Sequence, residues 1–337
     1  DKLGSVSDKS GRVAVLAKAI ATELGADPAL CERAALLSKC DLITNMVGEF
    51  ADLQGLMGSY YAKHDGEPDE VSQALHEQYL PRFAGDHLPE STTGAILAIA
   101  DKLDTMVGLF GIGQPPTGSK DPFALRRSAI GILRILVEKE LDLNIQKAID
   151  ASIESHENTG FQADTANLVF GFLLERFRAW YQESGIDSGV FQSVFVIKPQ
   201  RPLDFHHRVQ AVGNFNKLPE AVALSAANKR VSNLLSKQED GSVSTDCNVE
   251  LLVEAAEKSL HEAIQSKELE VAPLFEAGNY SAGLQSLSTL KSAVDDFFDN
   301  VLVMHDDGTI RTNRLALLQE LRGLFLRTAD ISYLHSS

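Results

Sequence analysis

The sequence has 337 residues, 44% of them hydrophobic and 23% charged, with 31 Lys and Arg against 47 Asp and Glu for a net charge of −16. That length allows two or three domains with their own cores, and no apolar run approaches the roughly 18 residues of a membrane span. The acidic balance disfavours nonspecific binding to DNA or RNA, which needs a basic surface, while leaving room for a local basic patch.

The pattern is helical nearly throughout and predicts an all-α protein. In residues 11–25 Val13, Leu16, Ile20 and Leu24 recur at helical spacing, and Gly25 follows as a C-terminal cap. Asp27 and Pro28 then open a helix expected to run to Phe50, with Cys40 and Asp41 well inside it. Residues 59–90, punctuated by Gly66, Pro68, Pro81, Gly85 and Pro89, read as loop-rich. A helix capped by Ser91 or Thr92 follows, then a loop at 111–122, then a helix starting at Asp121-Pro122, and another apolar helix at 167–183. Val194–Ile197 reads as a short extended piece before Pro199 and Pro202, where a domain boundary is expected. Residues 238–248 read as a polar loop. Two strong helices, 290–304 and 312–332, are joined by a turn at Asp307-Gly308. No basic-then-apolar signal peptide opens the chain. It begins at Asp1 and enters a patterned segment at once, which predicts a segment of a longer protein. Cys31, Cys40 and Cys247 lack metal-ligand spacing and fit reduced thiols in the cytoplasm.

An Asp directly after a Cys in a helical setting raises a metal question. Phosphohydrolases of the His-Asp superfamily use a His, a His-Asp pair and a distant Asp around a cation that activates water. Asp41 could be the middle Asp and Asp101 or Asp104 the distant one, with His64 as an extra ligand. Cys40 stands where the pair needs His, however, and no His precedes it. The scaffold is expected without its metal.

Several stretches together resemble one family, the beta subunit of the bacterial glycyl-tRNA synthetase built of two alpha and two beta chains. They are residues 40–67, 79–89, 98–136 and 138–143 in the first half, and 226–235 and 294–325 in the second. The resemblance implies a degenerate, metal-less His-Asp-type helical domain at 1–150, a helical body or linker at 151–197, and an anticodon-binding helical domain at 198–337, similar to that of arginyl-tRNA synthetases. It implies tRNA(Gly) and the alpha subunit as partners. Adenylation, with ATP and magnesium, is expected on the alpha subunit, and no catalytic residue, metal or other cofactor is expected in this segment. The alternatives are a helical scaffold or interaction module and a His-Asp-type metal phosphohydrolase.

An unpaired anticodon loop is held through its phosphates and read by stacking and by base-edge hydrogen bonds. Arg311, Asn313 and Arg314 form one candidate patch where a helix begins, unless the arginines pair with Asp295, Asp296, Asp299 or Asp306. Phe297 and Phe298 read as core more than as stacking platforms, since one of two neighbours must face inward. Asn228, Lys229 and Arg230 form a second patch, or a plain solvated helix face. The stretch from Lys198 to Arg230, including Arg201, Arg208 and Lys217, carries six basic residues against Asp204 and Glu220, with Phe205 and Phe215 interleaved in a way that suits a single strand. Lys120, Arg126, Arg127 and Arg134 form a fourth patch, expected at the acceptor arm, with Gly131 leaving room for an RNA backbone. Pairing of Arg126 and Arg127 with Asp101 or Asp104 is the alternative.

Overall fold

In a computed structural model the described residues are 2–156, 160–237 and 246–334. Most of the polar loop expected at 238–248 lies outside them, as does the tail 335–337. The first helix, α1 (Val6–Leu24), starts at a Ser5–Asp8 capping box and stops at Gly25, whose φ of 69° suits a residue without Cβ. Next come α2 (Pro28–Leu37), α3 (Asn45–Glu49), α4 (Leu56–His64), α5 (Asp69–Glu77), α6 (Thr92–Gly111), α7 (Leu125–Glu138), α8 (Ile145–Ser155) and α9 (Thr165–Glu183). The remaining helices are α10 (Ser188–Phe195), α11 (Pro202–Phe215), α12 (Ala221–Leu235), α13 (Ala255–Glu276), α14 (Tyr280–Ser288), α15 (Lys291–Asn300) and α16 (Gly308–Leu326). The described residues form no strand beyond an isolated bridge between Thr117 and Lys120, so the fold is all-α. Among them no helix is long and apolar enough to cross a membrane.

The chain divides into two units: residues 1–180 with 200–203, and 181–199 with 204–337. In the first, α6 is the axis and packs on α1, α2, α5, α7 and α8. It is buried on nearly all sides, and only Thr92, Asp101, Lys102 and Thr105 of its residues escape full burial. Ile96, Leu97, Ile99, Leu103 and Met106 are wholly buried there, each worth about 1.5–3 kcal/mol. In the second unit α13 packs on α14, α15 and α16, and α12 packs on α15, α16 and the turn Ile331–Tyr333. Phe205, Phe215, Phe297 and Phe325 fill this core.

Four local expectations are corrected. The helix expected to reach Phe50 breaks after Leu37, and Asp41 sits in a short 3-10 turn, Cys40–Ile43. There the Gln78 amide donates to the Ser38 carbonyl, and the Asp41 carboxylate accepts from the Gly55 amide at 2.6 Å, so tertiary partners take over from the helix ladder. The loop-rich stretch at 59–90 contains α5 and most of α4. Asp69 and Glu70 favour the first turn of α5, while Val71, Ala74 and Leu75 are buried at helical spacing. Val194 and Phe195 end α10 instead of extending: the Asp187 carboxylate caps that helix and Val194 is buried in its core. Finally, α7 starts at Leu125 and not at Pro122, although Asp121 still caps it, accepting from the Leu125 and Arg126 amides at 2.8 and 3.0 Å.

Candidate nucleic-acid interface

The start of α16 is set by Asp307, whose carboxylate accepts from the Thr309 and Ile310 amides. Helical periodicity then turns successive residues to different sides. Arg311 stays half-buried and donates to the His305 carbonyl at 2.9 Å. Asn313 is buried, and its amide both donates to and accepts from the backbone of Asn248, at 3.0 and 2.7 Å. Arg314 is 3% exposed, with its Nε 2.5 Å from Glu257 Oε1 and a further bond to the Leu302 carbonyl. Burial raises the Glu257 carboxyl, but Arg314 and the amides of Glu254 and Val253 outweigh it and hold it below its ordinary range. The expectation that Asn313 and Arg314 face RNA is therefore corrected: both are consumed inside the unit, and Arg314 pairs with Glu257 instead of the nearby α15 acids. Around Arg311 a cleft of about 550 Å³ remains, lined also by Thr309, Thr312, Gly308 and Asn248.

On α12 the three neighbours separate in the same way. Asn228 is 1% exposed and donates back to the Leu224 carbonyl, which removes it from the surface set. Lys229 and Arg230 are exposed, and the Arg230 guanidinium lies over the Phe298 ring at 4.4 Å. Arg208 is also withdrawn. It pairs with Asp204 at 2.7 Å, donates to the Arg327 and Thr328 carbonyls and to the Tyr280 hydroxyl, and stacks on the Tyr280 ring. Phe205 and Phe215, expected to interleave with the basic stretch, are buried against Phe191 and Phe325. That stretch keeps Lys198, Lys217, Lys229 and Arg230 exposed, whereas Arg201 is tied to Glu23 and Asp142 in the first unit.

In the first unit Lys120 and Arg127 are exposed, and among the described residues the Arg127 side chain makes one long hydrogen bond, 3.4 Å to the Arg82 carbonyl. Arg126 donates to the Gly118 carbonyl, closing its loop. Arg134 is held by Glu138 at 2.7 Å and by the Asp86 carbonyl, so it is a structural clamp. Gly131 opens no path for a backbone, because a Cβ there would meet Pro81 and Lys102 at 3.3 and 3.4 Å. Neither Arg126 nor Arg127 reaches Asp101 or Asp104. Those carboxylates are taken by cations of the chain itself: Lys9 and Lys39 lie 3.1 and 3.3 Å from Asp101, while Lys9 and Arg12 lie 3.1 and 2.8 Å from Asp104. His64 is exposed beside Asp65. Among the described residues no three His, Cys, Asp or Glu side chains converge as a metal site would require.

Of the expected cations, Lys198, Lys217, Lys229 and Arg230 thus remain exposed in the second unit, with the half-buried Phe298 beside Arg230 and the Arg311 cleft with its threonines, and Lys120 and Arg127 remain exposed in the first. Sequence reasoning weighs Phe297 and Phe298 together and favours core for both; the structure buries Phe297 and leaves Phe298, one position on, half-buried at the edge of the buried stripe of α15. The threonines lack any signal beyond their place at a helix start.

Comparison with known proteins covers both units. A family model described as the glycyl-tRNA synthetase beta subunit matches residues 1–196, and one described as the DALR anticodon binding domain matches residues 224–331. Proteins named glycine–tRNA ligase beta subunit are 54% identical to this chain in Marinobacter nauticus (334 residues), 54% in Pseudomonas aeruginosa (333 residues) and 52% in Actinobacillus pleuropneumoniae (333 residues). Each alignment covers 99% of this chain and 48% of the relative, so the chain spans about half the length of the curated relatives it matches. With more than half of the chain matched by the first of these models, it belongs to the glycyl-tRNA synthetase beta subunit family.

Proposed function

We propose that this chain is the tRNA-holding portion of a glycine–tRNA ligase beta subunit and grips tRNA(Gly) at the anticodon. The observation that carries this reading is that exposed Lys229 and Arg230, and Arg311 at its cleft, all lie within the residues matched by the anticodon-binding family model. Lys229 and Arg311 suit phosphates, and the Arg311 cleft can take an unstacked base. Lys120 and Arg127 are the cations available for the acceptor arm in the first unit. In this reading adenylation, with its ATP and magnesium, belongs to the alpha subunit, and the assembly works in the cytoplasm. No residue here is assigned to catalysis.

The test is binding of tRNA(Gly), and of the same tRNA with its anticodon cytosines replaced, at several salt concentrations. Tighter binding of the native anticodon is expected, and the slope against salt counts the phosphate contacts. Binding that ignores the anticodon would reduce the role to a backbone grip. No binding at low salt would favour a helical scaffold, a reading that the consumption of Arg208, Arg314 and Arg134 inside the fold supports.

A further inference from the structure

The second unit holds six arginines: Arg208, Arg230, Arg311, Arg314, Arg322 and Arg327. Five donate to protein acceptors. Arg208, Arg311 and Arg314 do so as described, Arg322 reaches Asp330, and Arg327 reaches Glu268 at 2.7 Å. Arg230 alone has no hydrogen-bond acceptor among the described residues. Its guanidinium carbon sits 4.4 Å from the centroid of the Phe298 ring. It does not bridge to Asp296 or Asp299, although both are exposed on the helix that carries Phe298. Phe298 in turn is held edge-on by the fully buried Phe297, with centroids 5.5 Å apart and ring planes at 82°.

A guanidinium resting on a fixed ring is an oriented plane. One side rests on the ring, the residue is exposed, and its N–H groups meet no acceptor among the described residues. Unpaired bases stack on just such arginine and aromatic planes, and an in-plane N–H can at the same time reach a base acceptor or a phosphate. An arginine meant only to stabilise the fold would be expected to spend its donors as the other five do. Lys229, the preceding residue on α12, is exposed and adds charge for the adjoining backbone. We infer that Arg230 and Phe298 form a base-stacking platform that takes one unpaired base of the anticodon loop. This inference rests on the proposed function and adds to it a site and a mode of recognition.

The test uses the full-length beta chain with its partner subunit, and tRNA(Gly) carrying 2-aminopurine in the anticodon loop. Arg230→Lys keeps the charge and loses the plane, while Phe298→Leu keeps an apolar side chain and loses the ring. Each is expected to weaken binding about 10-fold or more, the scale of one lost base stack, and to reduce the quenching of 2-aminopurine, with the salt slope unchanged. Lys229→Ala is expected to lower the salt slope and leave the quenching alone. If Arg230→Lys binds and quenches like the unaltered chain, the platform is overturned even where Arg230→Ala is impaired, since charge alone would then suffice. Should Phe298→Leu fail to fold, Arg230→Lys on the surface decides by itself. Absence of tRNA binding by the unaltered protein would overturn the proposed function and the platform together. Anticodon-dependent binding that ignores both variants would overturn the platform alone.

Discussion

Arg314 and Arg230 are both arginines on helices of one unit, and their surroundings give them opposite roles. Arg314 is buried on Glu257, and Glu257 also accepts from the Val253 and Glu254 amides at the start of α13. Removing the guanidinium leaves a buried carboxylate without its counter-ion, which typically costs about 3–5 kcal/mol. Arg314→Ala should therefore lower stability by about that much in urea denaturation, and any loss of RNA binding should follow the loss of fold. An unfolding midpoint equal to that of the unaltered chain would remove this pair from the supports of the core. Arg230→Ala, on an exposed position, is expected to stay within about 0.5 kcal/mol in the same experiment.

At the scale of elements, the start of α6 shows how a loop and two helices depend on one side chain. Glu77, the last residue of α5, is buried, and its carboxylate accepts from the Glu90 and Ser91 amides and from the Ser91 hydroxyl. Ser91 in turn caps α6 through the Gly94 amide. Gly94 is required by this arrangement, since a Cβ there would lie 2.0 Å from Glu77 Oε2 and 2.9 Å from Glu77 Cβ. The Cβ of Glu77 cannot swing aside without moving α5. Gly94→Ala is accordingly expected to destabilise the protein by about 1–3 kcal/mol, even though alanine favours helix, and thermal unfolding would report it. A stabilised variant would mean that helix propensity outweighs the clash.

For the molecule as a whole, the carboxylates and ammoniums around α6 tie stability to pH. Burial raises the Asp101 carboxyl, but the ammoniums of Lys39 and Lys9 outweigh it and hold it well below the ordinary carboxylate range. The unfolded chain then takes up a proton before the folded one does, so this stabilisation is present above about pH 4 and is lost as pH falls through the lower, folded range. Lys102 moves the other way round. Burial pushes its ammonium down to about 8 against the opposing pull of Asp101. Between pH 8 and the ordinary lysine value of about 10.5 the unfolded chain holds the extra proton, so this group makes stability rise with pH across that window. Urea midpoints measured from pH 7.5 to 10 should show the rise, and Lys102→Met should flatten it. Asp101→Asn should flatten the acid limb. A rise that persists in Lys102→Met would assign the alkaline limb to another group.

The helices themselves were legible wherever capping and apolar spacing agreed: Gly25, Asp27-Pro28, Ser91 and Asp307 all stand at helix boundaries. These signals act between residues a few positions apart, so the sequence by itself determined them, along with the all-α class. It failed where a distant partner prevailed, as when Gly55 and Gln78 hold the Cys40–Asp41 turn out of a helix. The site was less legible for the same reason. Charge counting marked Arg208, Arg230, Arg311 and Arg314 alike, yet Asp204, Glu257 and the carbonyls that consume Arg208 and Arg314 lie on other turns or other helices. Which cations remain for a partner depends on which carboxylates and carbonyls packing brings within hydrogen-bonding distance, and only the tertiary structure decided that.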